Sequence, residues 1–143
     1  MGCIWVTIHP ICKALLFKKT GKTKTAHGIM YNQREIVLIP FPYSDLSSSK
    51  RRPVLVLSNN FYNDKFPDIL VCVIMSNLFQ DQYSIVLNDE DLELGLLPEK
   101  SVIKCHKLFT IEQSQVLKRF SIINESKFEE VSKKVSDLIQ PSK

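Results

Sequence analysis

From Glu35 onward the chain alternates short apolar runs with polar, turn-forming breaks. The runs EIVLIPF (35–41), PVLVLSN (53–59), DILVCVIMS (68–76), YSIVLN (83–88), SVIKCHKLFT (101–110) and RFSII (119–123) are rich in Val and Ile. Pro, Asn, Asp and Ser separate them, so each predicts a strand. Pro53 suits the first position of a strand, where a missing N–H does least harm. Two stretches carry helix-start signals instead. TIEQSQVLK pairs Thr110 with Gln113, and SKFEEVSKKVSDLI pairs Ser126 with Glu129, each in the capping-box spacing. In the second, Phe128, Val131, Val135, Leu138 and Ile139 recur at helical intervals, which predicts a helix laid along one side of the strands. Many short strands with few helices predict a mainly β fold, a small barrel or sandwich.

Composition changes this picture chiefly at the N-terminus. The 143 residues give one domain, 44% hydrophobic and 24% charged, which places the chain among folded proteins. Residues 1–30 contain five lysines and no acid, so the net charge of +4 belongs to them and the remainder is close to neutral. We divide the chain into a basic extension, 1–30, and a folded domain, 31–143. The extension has three readings: a disordered tail, an over-extended start with Met30 as the initiator, or a working basic arm. Any nucleic-acid contact must then come from a local cationic patch. The cysteines at 3, 12, 72 and 105 show no metal-ligand spacing and read as small buried hydrophobes of a reducing cytoplasm. No run reaches the ~20 apolar residues of a membrane span.

Candidate chemistry sits at strand ends. Lys50, Arg51 and Arg52 crowd the entrance of an apolar strand. Basic turns are as a rule simply solvated, but Pro53 holds Arg52 extended, where a guanidinium can grip a phosphate with two prongs. Ser76 ends the next apolar strand with a hydroxyl. In SVIKCHKLFT, period-two alternation sends Lys104 and His106 to one face and Cys105 and Lys107 to the other. A cation beside an imidazole favours the neutral form that acts as a base.

In order, REIVLIPFPYSDLSSSKRRPVLVLSNNFYN, ILVCVIMSN and SVIKCHKLFTIEQ resemble the PemK/MazF family of type II toxin–antitoxin toxins, over about residues 33–140. The resemblance implies a small SH3-like barrel with a C-terminal helix, a cytoplasmic homodimer, and sequence-selective cleavage of single-stranded RNA. That reaction uses no metal and no cofactor, and leaves a 2′,3′-cyclic phosphate and a 5′-hydroxyl. It also implies a cognate antitoxin whose acidic or apolar tail fills the same basic groove, with DNA binding by the complex. Carried over by position, Arg52 holds the scissile phosphate and Ser76 bonds the phosphate or the 2′-hydroxyl. The loop contact falls among Ser47, Ser48 and Ser49, with Lys50, Arg51 and Lys107 as further RNA contacts. Where the plasmid-borne branch reads VRCDQPRTI, with Arg and Asp as acid and base, this chain has Lys104 and His106. His106 is then the general base, and Lys104 either protonates the leaving oxygen or stabilises charge. Lys107 stands where many members have Gln. Two other functions stay open: a same-fold toxin that binds a protein target such as gyrase, and an inert barrel that only binds RNA or antitoxin.

Overall fold

The computed structural model describes residues 23–25, 28–41, 50–76, 79–97 and 99–142. In chain order these form β1 (Thr23–Thr25), β2 (Gly28–Met30), β3 (Glu35–Phe41), β4 (Lys50–Val56), α1 (Asn60–Lys65), β5 (Asp68–Met75), β6 (Ser84–Leu87), β7 (Leu92–Leu94), β8 (Ser101–Glu112), β9 (Lys118–Ile123) and α2 (Glu125–Leu138). β1 and β2 pair as a separate hairpin, and the other strands make one antiparallel sheet in the order β6-β8-β5-β4-β3-β9-β7. It curls into a half-barrel closed on one side by α2.

Both faces of this sheet are covered, which is why its central strands read as unbroken apolar runs rather than strict alternations. On one face Ile36, Leu38, Leu55, Ile74, Ile103 and Val131 pack in a single cluster, and Phe128 and Val135 of α2 lean on it. On the other, Tyr31, Val37, Ile39, Val54, Val71 and Ile111 form a second. Cys72 and Cys105 belong to the first cluster as free thiols. Burial raises Cys72 well above its ordinary range, as does the neighbouring Cys105, and burial pushes the Cys105 thiol up to about 11. Both act as packing groups. Cys3 and Cys12 lie outside the described residues.

The predicted C-terminal helix forms, but its cap is Asn124 rather than Ser126: the Asn124 side chain accepts from the Lys127 N–H at 2.7 Å. Val131 anchors it, fully buried. Val131→Ala removes two methyl groups from that contact, and is expected to cost ~2 kcal/mol by urea denaturation. Exposed Ser132→Ala is the control, expected to change stability by less than ~0.5 kcal/mol.

The other helix expectation, over 110–118, is overturned. Thr110, Ile111 and Glu112 continue β8, paired with Leu70, Ile69 and Asp68, and only a 3-10 turn, Gln113–Gln115, follows. The side chain of Gln113 is drawn into a clamp. Its Oε1 accepts from the Tyr31 N–H at 2.8 Å, and its Nε2 donates to the carbonyls of Asn63 (2.8 Å) and Phe66 (3.0 Å). Tertiary pairing outweighs the local capping signal here.

Candidate active site

Two strand ends, an interruption within a third strand and one connecting segment build the site. β4 supplies Arg52, whose backbone pairs with Ile39 of β3, while the ladder between β4 and β5 begins only at Val54↔Val73. Pro53 has no N–H to offer that ladder. The stretch before it is therefore held from the β3 side. Continuing the register past Val54 sets Arg52 level with Met75 and Arg51 level with Ser76. Arg51 is exposed and Arg52 half-buried. By strand alternation Arg52, Val54, Val73 and Met75 share a face. Ser76 lies one residue beyond β5, in a bend where alternation no longer fixes its direction. Met75 is thus the strand position facing Arg52, a placement the sequence pattern did not reveal.

β8 supplies the rest through an interruption. Val73 pairs with Lys104 but the adjacent Cys72 pairs with Leu108, so residues 105–107 leave the ladder as a bulge. Such bulges re-aim side chains. Cys105 turns into the core, as alternation predicts. Lys107 does not follow its predicted face: it is exposed and its Nζ lies 4.0 Å from the Met75 sulfur, on the side shared with Arg52.

Lys104 is 5% exposed, and a buried ammonium must be paired. Its Nζ donates to the Phe79 carbonyl at 2.6 Å and to Ser84 Oγ at 3.0 Å, lies 3.5 Å from Asp81 Oδ2, and sits over the Phe79 ring. These contacts brace the segment 79–84 between β5 and β6. Within it, Asp81 Oδ1 accepts from the Tyr83 N–H (2.8 Å) and Ser84 Oγ (2.9 Å), in the manner of an Asx turn. Partial desolvation pushes the Asp81 carboxyl upward. The Ser84 and Tyr83 hydrogen bonds, with Lys104 and His106 beside it, outweigh that and hold it below its ordinary 3.8. His106 is half-buried, its Nδ1 3.9 Å from Asp81 Oδ1 and its ring 6.1 Å from that of Tyr83.

The structure thus gathers Lys104 and His106 around Asp81, and sets Arg52, Met75 and Lys107 on one face. Ser47, Ser48 and Ser49 lie outside the described residues, and Lys50 enters only as the first residue of β4. Asp81 and Ser84 were missed from the sequence. The turn signal in FQDQYS marks a loop but not its meeting with β8. Among the described residues no group of three or more His, Cys, Asp or Glu could hold a metal, and no helix is long and apolar enough to cross a membrane.

Similarity to known proteins bears on the fold and the family. Solved structures share the fold at low identity. An endoribonuclease from a mycobacterial species in complex with its cognate antitoxin superposes with a TM-score of 0.63 at 11% identity, covering 79% of this chain and 99% of its own. A MazE–MazF complex from Deinococcus radiodurans gives 0.61 at 18% identity, covering 79% and 98%. MazF alone from that organism gives 0.61 at 20%, covering 77% and 96%. No curated protein sequence matches the chain. The model of the PemK-like, MazF-like toxins of type II toxin–antitoxin systems matches residues 32–139, and the chain belongs to that family.

Proposed function

We propose that this toxin is an endoribonuclease that cuts single-stranded RNA without a metal, works as a homodimer, and is neutralised by a cognate antitoxin. The observation that carries the reading is the bulge at 105–107, which frees an imidazole and an exposed ammonium from the β5 ladder, the ammonium reaching Met75, the β5 position level with Arg52. Transesterification at phosphorus needs a base, charge stabilisation and in-line positioning, and all three can come from side chains. His106 takes the proton of the ribose 2′-hydroxyl as its oxygen attacks the adjacent phosphorus. The P–O5′ bond breaks, the departing 5′-oxygen takes a proton from water, and the cyclic phosphate remains. Arg52 meets the charge on the non-bridging oxygens, with Ser76, Arg51 and Lys107 as further contacts. Of the two roles open for Lys104, bracing and charge stabilisation fit better than proton donation, because its hydrogens already go to Phe79 and Ser84. The antitoxin complexes among the structural neighbours support an antitoxin partner.

A long RNA incubated with the protein in EDTA should be cut at discrete positions, each product ending in a 2′,3′-cyclic phosphate with a 5′-hydroxyl on its neighbour. Absence of cuts by folded protein moves the weight to an inert or protein-binding barrel. Ends bearing a 5′-phosphate would rule out attack by the 2′-hydroxyl.

A further inference from the structure

We infer that Asp81 is a positioning residue for His106, orienting the imidazole so that Nε2 faces the RNA; this rests on the reading of His106 as the base. Nδ1 of His106 is buried and has no hydrogen-bond partner, whereas the side chain as a whole is 31% exposed. Its exposure therefore falls on the rest of the side chain, and Nε2 is not among the buried unpartnered atoms. Water is excluded from Nδ1, and the acceptor facing it is Asp81 Oδ1 at 3.9 Å.

The carboxylate is itself fixed. Lys104 Nζ and the Asp81 N–H are obligate donors to Ser84 Oγ, at 3.0 and 3.3 Å, so both hydroxyl acceptor sites are taken. The single Ser84 proton must then go to Asp81 Oδ1. A buried lysine holds a serine, the serine holds a carboxylate, and the carboxylate stands opposite the imidazole. Among the described residues, the charged and titratable groups around that ring are Asp81 and Tyr83 from the segment before β6, and Lys104 and Lys107 from β8. From α2 comes Lys134, whose ammonium bonds the Gln82 carbonyl at 2.7 Å. Asp81 is the one acid among them. A proton placed on Nδ1 toward Asp81 leaves the Nε2 lone pair free to act as base. Catalytic hydrogen bonds are often long before substrate binds, and 3.9 Å closes with a small ring movement.

The test reads the tautomer and the reaction separately. In free protein with its imidazole neutral, the nitrogen-15 shifts of His106 should show the Nδ1–H tautomer. Asp81→Asn should mix the tautomers and slow single-turnover cleavage about 10- to 100-fold with little change in KM, since a loosened base loses part of its effect. Ser84→Ala disturbs the same turn but keeps the carboxylate, so it should keep the Nδ1–H form. If Ser84→Ala matches Asp81→Asn in both tautomer and rate, the effect is loop structure and the inference fails. An Nε2–H tautomer in the unsubstituted protein overturns it without any variant. Cleaving protein whose tautomer and rate ignore Asp81→Asn overturns the inference and leaves the endoribonuclease reading standing. Folded protein that cuts no RNA overturns both, because there is then no base to position.

Discussion

Arg52→Ala is expected to lower the single-turnover rate of RNA cleavage about 100- to 1,000-fold, the effect of removing one preorganised donor from a developing oxyanion. The expectation follows from where the residue stands. Pro53 restricts Arg52 to an extended backbone, and pairing with Ile39 fixes its strand on one side. On the proposed reading the backbone that carries the guanidinium is set before substrate arrives, which limits the reorganisation needed at the moment of reaction. Because the interaction strengthens as charge grows on phosphorus oxygens, the loss should fall on kcat more than on KM. Arg52→Lys should recover only part, since an ammonium lacks the planar fork that takes two oxygens at once. Cleavage of a short RNA carrying one mapped site, with melting curves to show that each variant folds, gives the comparison. A rate unchanged in Arg52→Ala takes this residue out of the mechanism, and the exposed Lys107 becomes the next cation to replace.

The residues that sequence reading placed well are those whose surroundings are written locally. Strands covered on both faces must be apolar at consecutive positions, so EIVLIPF, PVLVL and DILVCVIM announce themselves, and observed strands differ from the expected ones mainly at their ends. Short elements without that signal were missed. α1 has six residues capped by Asn59, and its Asn63 is buried because it bonds the Tyr31 and Ser58 carbonyls. Three-residue β7 gains its place from β9. The same reasoning explains the site. Arg52 could be singled out because Pro53 restricts it to extended backbone. Pro53 does not open the strand, however: β4 begins at Lys50, which pairs with Phe41, and the proline lies inside it where only β3 needs the ladder. The bulge was not, because period-two alternation assumes an unbroken ladder and nothing in VIKCHKLF says where pairing lapses. Asp81 was invisible for a further reason: a turn aspartate signals its own loop, and its partner lies 25 residues away on another strand.

The largest stability effect is expected inside the fold, at Arg119. Its Nε donates to Glu35 Oε2 at 2.7 Å, its Nη2 donates to the Met30 carbonyl at 2.6 Å, and the guanidinium stacks on the Tyr31 ring. The other Glu35 oxygen accepts from the Asn32 N–H. Both side chains are almost wholly buried, at 3% and 0% exposure, so neither charge can fall back on water. Such a pair adds little over an apolar replacement, but removing one partner strands the other. Arg119→Met should therefore cost ~3–5 kcal/mol by urea denaturation. Adding Glu35→Gln keeps an acceptor for Asn32 and removes the stranded charge, so the double variant should regain about 1–3 kcal/mol. The pH dependence has a definite sign. Burial already pushes the Glu35 carboxyl above its ordinary 4.5, against the pull of Arg119 and its hydrogen bonds. Without Arg119 the native state keeps that proton to still higher pH, while the unfolded chain releases it near the ordinary value. The native state then binds more protons across the interval, and stability falls as pH rises through it. Relative to the unsubstituted protein, Arg119→Met should be more stable near about pH 5 than at about pH 8, and Glu35→Gln should abolish that difference. A loss under ~1 kcal/mol with no pH dependence would mean that water reaches the pair and that residues 30–35 are held by the Gln113 and Asn63 clamp instead.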